Sequence, residues 1–408
     1  RTIPIPSGSA ICWAGSCTIA SWRSLSSMQD RPMVLFVNHT LDRKAGGAEQ
    51  VLSSLLTGLA PSPFALRLAA PRKADRENEI SPEVERHWLP PFHMDPTRSI
   101  ANLARTALSL LRANLAFGVL VRRLRPDVIY VNSIFALHFA ALPALVLGVP
   151  FVYHEHNLVS QRSGSIWHRA FPLLVRRARR VVAISEAVAE ELRDLGVPDE
   201  MIQVVHNAID LPLPTVERTA RDFDERPFRV VLVANLHRWK GHATIIEAIA
   251  LAAEDGLDLS ATFFGREQDA DFARTLRERA RTRGIADRID FQGFVPDAAA
   301  RLVEFDALVL ASDSEPFGLA ILEGMRAEIP VVASAAGGAL EIIEHGTSGL
   351  LFEPGDARAL ADCFRRLAED TTLRESLVGG ACTALEERFS PDAQIAGVRD
   401  ALEQALSS

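Results

Sequence analysis

Apolar and polar positions fall along this chain in blocks of two sizes. Short apolar runs such as Met33-Val-Leu-Phe-Val37 are too short for a helix and too uniformly apolar for a strand with one wet face. They predict strands buried on both sides. Between them lie longer stretches with apolar residues every three or four positions, which predict helices. In the first half, strands are expected at 33–38, 64–69, 127–131, 151–154, 181–185 and 203–206. Helices are expected over 48–59 and 99–124, and another from Glu186. The stretch 211–227 breaks the rhythm, because it is polar, holds three prolines and has no period. Strands then resume at 229–234, 260–265, 289–292, 307–311, 330–334 and 349–352.

Strands alternating with helices mean βαβ units and parallel sheets. The expected fold class is α/β, with two Rossmann-like doubly wound domains at 31–210 and 229–390. A linker at 211–228 joins them, and a last helix at 391–408 lies beyond the second domain. Such domains bind ligands outside the carboxyl ends of their strands. Residues 1–30 open on Arg1 and are rich in Ser, Ala and Trp without period. They read as an extension, disordered or a start-site artefact, with Met28 as a sensible start.

Composition narrows the function. A chain of 408 residues suits two domains, and a net charge of −8 argues against a nucleic-acid binder. Cys12, Cys17, Cys363 and Cys382 make neither a disulfide framework nor a zinc cluster, so a reduced, cytoplasmic protein is expected. The longest apolar run, 134–152, is broken by His138, Pro143, Gly148 and Pro150, so no uninterrupted stretch reaches membrane-spanning length. No dinucleotide-binding or P-loop glycine motif follows a strand.

The candidate chemistry sits at strand ends. The run from Leu308 to Met325 passes from a strand through a polar turn into a helix, and carries Glu315 and Glu323 eight positions apart. On one continuous helical spiral they would stand about 12 Å apart, the span of an extended ligand. Pro316 is expected at the first helical position and Gly318 inside the first turn, where free N–H groups attract a phosphate. After the 229–234 strand, Arg238 and Lys240 form a cationic clamp suited to a diphosphate leaving group. Gly46 and Gly47 follow the first strand and free its loop to approach a ligand. Two histidines, His154 and His156, close the 151–154 strand.

These residues resemble the donor site of the retaining glycosyltransferases of family 4, which have the GT-B fold. The likeness is most specific over Glu315-Pro-Phe-Gly-Leu-Ala-Ile-Leu-Glu323 and the sequel to Asp356, and extends to Lys240-Gly241. It implies a donor sugar facing Glu315 and a ribose held by Glu323. The amides of Gly318, Leu319 and Ala320, in the turn that carries Phe317, meet the diphosphate. Gly46 and Gly47 close over the phosphate, Gly265 leaves room for the base, and His156 contacts the sugar near the reacting carbon, with His154 as fallback. Asn235 stands where the family has an arginine, and Arg238 is expected to substitute. Ser185 and Asn207 resemble landmarks that set backbone geometry.

The implied reaction moves a hexosyl group from a nucleotide sugar, UDP- or GDP-linked, to a hydroxyl of a glycan or lipid-linked acceptor. The anomeric configuration is retained by same-face attack. With no D-x-D pair to hold a metal, metal-independent activity without a cofactor is expected. A nucleotide-sugar 2-epimerase of the same architecture, or a non-catalytic sugar-nucleotide or glycan-binding partner, are the other readings. Two arginine-rich stretches are left over, at Arg105, Arg112, Arg122, Arg123 and Arg125, and at Arg176, Arg177, Arg179 and Arg180. Both lie in the acceptor half, where a basic amphipathic face suits peripheral contact with an anionic membrane at its inner face.

Overall fold

The computed structural model describes residues 31–41, 47–60, 63–71, 81–92, 100–160, 166–210 and 226–407. The extension at 1–30, Gly46 and most of the 211–228 linker lie outside them. The first sheet is built from β1 (Met33–Val37), β2 (Ala65–Pro71), β3 (Glu85–Leu89), β4 (Val128–Val131), β5 (Phe151–Glu155), β6 (Arg180–Ala183) and β7 (Ile202–Val204). Every pairing is parallel, in the order β3-β2-β1-β4-β5-β6-β7. The second sheet holds β8 (Phe228–Val233), β9 (Leu259–Phe264), β10 (Ile289–Gly293), β11 (Ala307–Leu310), β12 (Val331–Ser334) and β13 (Leu350–Phe352). It is also all parallel, in the order β10-β9-β8-β11-β12-β13. Both sheets reverse direction next to their first strand, which opens a crevice at the carboxyl edge.

Helices cover the sheets, which is why central strands such as β4, β5 and β11 are buried throughout. The first domain carries α1 (Gly47–Leu59), α2 (Ile100–Leu124), α3 (Ile134–Leu147), α4 (Ile166–Val175) and α5 (Glu186–Asp194). The second carries α6 (His242–Glu254), α7 (Ala270–Thr282), α8 (Ala298–Arg301), α9 (Leu319–Arg326), α10 (Ala339–Ile342), α11 (Ala357–Glu369) and α12 (Thr371–Arg388). The last helix, α13 (Pro391–Ser407), returns to the first domain. Its Val398, Ala401, Leu402 and Ala405 are buried in one cluster with Val34, Phe36 and Leu55.

Three sequence expectations change. The strand β3 was not expected, because Glu-Arg-His-Trp-Leu is largely polar. It sits at the sheet edge with β2 as its one neighbour, so it needs little apolar surface. The broken apolar run after Asn132 forms α3, with Pro143 inside it and Gly148 ending it in the left-handed region. The segment 102–124 of α2 is also long and apolar enough, by length and composition, to cross a membrane. Its Ala113, Phe117 and Val121 are buried in the domain core, so within this fold it is a surface helix.

Named contacts fix one domain against the other. Leu319 lies against the backbone of Gly47, at a spot where any Cβ would collide with it. Ser185 Oγ donates to the Pro316 carbonyl at 2.6 Å. The Glu341 carboxylate accepts from the amides of Glu186 and Ala187 at the start of α5 (2.8 and 3.0 Å) and from His206 Nε2 (3.0 Å).

Candidate active site

The carboxyl edges of both sheets face one cleft of about 1430 Å³, larger than the roughly 300–1,000 Å³ that a single small ligand needs. The strands deliver polar residues there. Asn132 follows β4, His156 and Asn157 follow β5, Asn235 follows β8, Gly265 follows β9, and all of them line the cleft.

Lys240 and Glu315 are held together on the second domain's wall. Lys240 lies in the turn after β8, its Nζ 4.1 Å from the Trp239 ring centroid, and donates to Glu315 Oε2 at 2.7 Å. Ser312 Oγ donates to the same oxygen at 2.8 Å. Glu315 is nearly buried, so its charge is matched by a cation and a hydroxyl rather than by bulk water. Three donors sit on an ammonium, and only one is spent here.

The segment between the two glutamates is not one helical spiral. Helix α9 begins only at Leu319, and Glu315 and Pro316 belong to the turn before it. Gly318 is the N-cap, with φ of 107°, a conformation L side chains rarely adopt. Its place in the sequence is therefore explained by backbone geometry, not by a first helical turn. No side chain caps α9, and Gly318, Leu319 and Ala320 line the cleft. The first amides of the helix and the positive end of its dipole therefore face the cavity.

Glu323 stands one turn further along α9. It lines the cleft and has no hydrogen-bond or ion-pair partner among the described residues. Its surroundings strip water from the carboxyl and push its pKa up to about 7.

The first domain contributes His156. Asn132 Nδ2 donates to the Ala48 carbonyl, so Asn132 Oδ1 is the acceptor and His156 donates to it through Nε2, at 3.2 Å. Glu155 fixes the turn beneath by accepting from the amides of His156 and Asn157, both at 3.0 Å. The fallback candidate, His154, is fully buried behind it with ring centroids 3.9 Å apart, and its Nδ1 bonds the Tyr130 hydroxyl. Burial, and then the neighbouring His156, hold His154 well below its usual pKa.

Of the other expected residues, Phe317 and Gly265 line the cleft and Arg238 does not. Arg238 is mostly exposed, its Nη2 3.6 Å from Asp269 and its guanidinium over the Phe272 ring, outside the cleft that Asn235 lines. Asn235 itself accepts from the Arg266 amide at 3.0 Å and ties the end of β8 to the end of β9. Phe317 lies in the cleft wall with its ring buried against His206 and Phe389, so it also packs the domain junction. Gly265 does line the cleft, but the Ala234 carbonyl fills the space where its Cβ would stand. Sequence reasoning missed Asn132, Ser312 and Glu155. The available signal was a polar residue at or just past the end of each buried strand.

Comparison with known proteins gives the family and the fold. The model for glycosyltransferase family 4 matches residues 45–212, and that for the glycosyl transferases group 1 matches 215–381. The chain belongs to the family 4 glycosyltransferases of the GT-B fold. The chain is 30% identical over 213 residues to the lipopolysaccharide core biosynthesis glycosyltransferase LpsD of Rhizobium meliloti (strain 1021), covering 52% of this chain and 60% of that one. It is 28% identical over 214 residues to the N-acetyl-alpha-D-glucosaminyl L-malate synthase of Bacillus anthracis, covering 51% and 55%. The matched part thus spans little more than half of these relatives. Among solved structures, Anabaena HepE in complex with UDP-glucose superposes with a TM-score of 0.75 at 24% identity, over 91% of this chain and 99% of that one. Among the described residues no three His, Cys, Asp or Glu side chains gather where they could hold a metal ion.

Proposed function

We propose that this glycosyltransferase moves a hexosyl group from a UDP- or GDP-linked sugar to a hydroxyl of a glycan or lipid-linked acceptor on the cytoplasmic side. In this reading it retains the anomeric configuration and uses no metal ion. The observation that carries the reading is the Lys240–Glu315 pair beside the uncapped start of α9. A diphosphate there meets fixed positive charge from Lys240 and from the amides at Gly318 to Ala320, which lowers the barrier to its departure. Glu323, an unpaired carboxyl in the cleft wall, accepts from the ribose hydroxyls. Glu315 orients the donor sugar, and His156 bounds the face where the anomeric carbon reacts. The acceptor hydroxyl attacks on the side the phosphate leaves, and the leaving phosphate takes its proton.

The UDP-glucose in HepE supports a nucleotide sugar in this cleft, and LpsD supports a glycan product. A melting-point panel with UDP, GDP, ADP and CDP tests the donor. A ligand at a hundred times its dissociation constant stabilises by about 2.7 kcal/mol, and a panel with no shift sinks the reading. With the donor known, Lys240→Ala and Glu323→Ala are each expected to lower transfer at least tenfold, about 1.4 kcal/mol of transition-state stabilisation. Near-normal rates in both remove the donor-site assignment. Transfer is expected to persist in EDTA, and its loss overturns the metal-free step.

A further inference from the structure

Helices α2, α3 and α4 lie side by side on the first domain. Among the described residues, eleven of the fourteen exposed large hydrophobic side chains sit on these three helices. Scattered exposed leucines are ordinary, but a cluster this dense marks an interaction surface. On α2, Leu108, Leu111, Leu115 and Val119 fall within about 80° of one another around the helix and run about 16 Å along it. The α2 and α3 backbones meet at Gly118, which faces Pro143. Leu115 and Val119 on one side of that crossing, and Leu142 and Val146 on the other, therefore make one surface. Their exposures are 63%, 69%, 58% and 74%. Leu173 extends it onto α4.

Charge frames the patch. Residues 100–180 hold eleven arginines, no lysine and two acids, a net +9 in a chain whose total is −8. Neither acid faces the patch freely. Asp127 accepts from the Met33 amide, and Glu155 is buried. At 100° per residue, Arg105, Arg112 and Arg123 fall about 40–60° from Leu108, on the flank away from Gly118. Arg112, Arg122 and Arg177 make no ion pair among the described residues.

We propose that α2, α3 and α4 form a docking face for an anionic bilayer, with the arginines on the headgroups and the leucines among the acyl chains. Leucines flanked by arginines, on helices whose opposite faces are locked into a core, match helices that lie in a membrane interface rather than across it. A second copy of the chain is a poor occupant, because a two-fold contact would set this basic face against itself. Residues 1–30 supply no acidic complement either, carrying Arg1 and Arg23 against Asp30. Phe135 links the face to the cleft. It lines the cavity, is 38% exposed, and lies on the same side of α3 as Leu142 and Val146. A lipid-borne acceptor enters past it. That last step rests on the acceptor class proposed above, whereas docking does not.

Co-sedimentation of the full chain with vesicles, without any donor or acceptor, tests docking separately from transfer. Binding is expected to 7:3 phosphatidylcholine–phosphatidylglycerol vesicles at 0.1 M salt, and to fall at least tenfold on pure phosphatidylcholine and at 0.5 M salt. Leu115→Glu with Leu142→Glu is expected to abolish it while the melting point with nucleotide is unchanged. Arg112→Gln and Arg122→Gln are each expected to weaken it about fivefold. No binding by the unaltered chain, or equal binding by the leucine variant, overturns the proposal. A wild-type dimer that the leucine variant splits also overturns it and gives the face to a second copy.

Discussion

At the residue scale, Glu323 is the most sharply testable group in the cleft. Burial raises its pKa from 4.5 to about 7. In the empty protein this group favours the fold most below 4.5, and that contribution is lost as pH rises through 7. In the proposed site binding runs the other way, with the ionised carboxylate accepting from both ribose hydroxyls. Calorimetric affinity for the preferred nucleoside diphosphate is therefore expected to rise up to about tenfold from pH 6 to pH 8, beyond any rise seen in Glu323→Gln. Equal pH slopes in the two proteins remove Glu323 from the ribose site. Glu315 and Glu323 were legible in the sequence because one motif keeps them eight positions apart, and Lys240 was legible from its own run after a buried strand. The bond between Lys240 and Glu315 was not, since 75 positions separate them and only the pairing of β8 with β11 brings them within reach.

At the element scale, glycines show what a sequence reading leaves out. Gly265 lines the cleft, and the Ala234 carbonyl on the adjacent strand end occupies the place of its Cβ. Gly265→Ala is expected to lower stability by about 1–3 kcal/mol, as overpacking does, even with no nucleotide present. Urea unfolding of the empty protein measures it, and an unchanged midpoint refutes the close approach. Strands buried on both faces were visible as apolar runs, and their ends were placed within a residue or two. The edge strand β3 escaped because an edge needs no such run. Helix α3 escaped because Pro143 and Gly148 look like breaks, although one lies inside the helix and the other ends it.

At the scale of the whole molecule, Glu341 ties the domains together. Burial pushes its carboxyl up, but the His206 hydrogen bond and the amides of Glu186 and Ala187 outweigh it, and the net shift is downward. A lowered carboxylate stabilises above its unfolded pKa near 4.5, and that stabilisation is lost as pH falls through the folded value. Glu341→Gln is expected to lower stability by about 2 kcal/mol at pH 6, as losing a charged hydrogen-bond acceptor does. The gap should narrow as pH falls below 4.5 and through the lowered folded value. A gap that persists in acid removes the carboxylate's charge from the account. The proposed docking face is a property of the same scale. Its arginines were evident along the chain, but its leucines became a patch only when α2, α3 and α4 were laid edge to edge.

The sequence alone determined the alternation of buried strands and covering helices, the two-domain division, and the local run that carries both glutamates. Each of these depends on neighbours within a few turns of chain, where hydrophobic period and glycine placement act directly. Only the tertiary structure decided which polar residues share the cleft. It left Arg238 outside, packed the Phe317 ring against His206, brought Asn132 under His156, and set Lys240 on Glu315. Those outcomes rest on sheet order and domain contact, which join residues far apart in the chain and leave no local pattern to read.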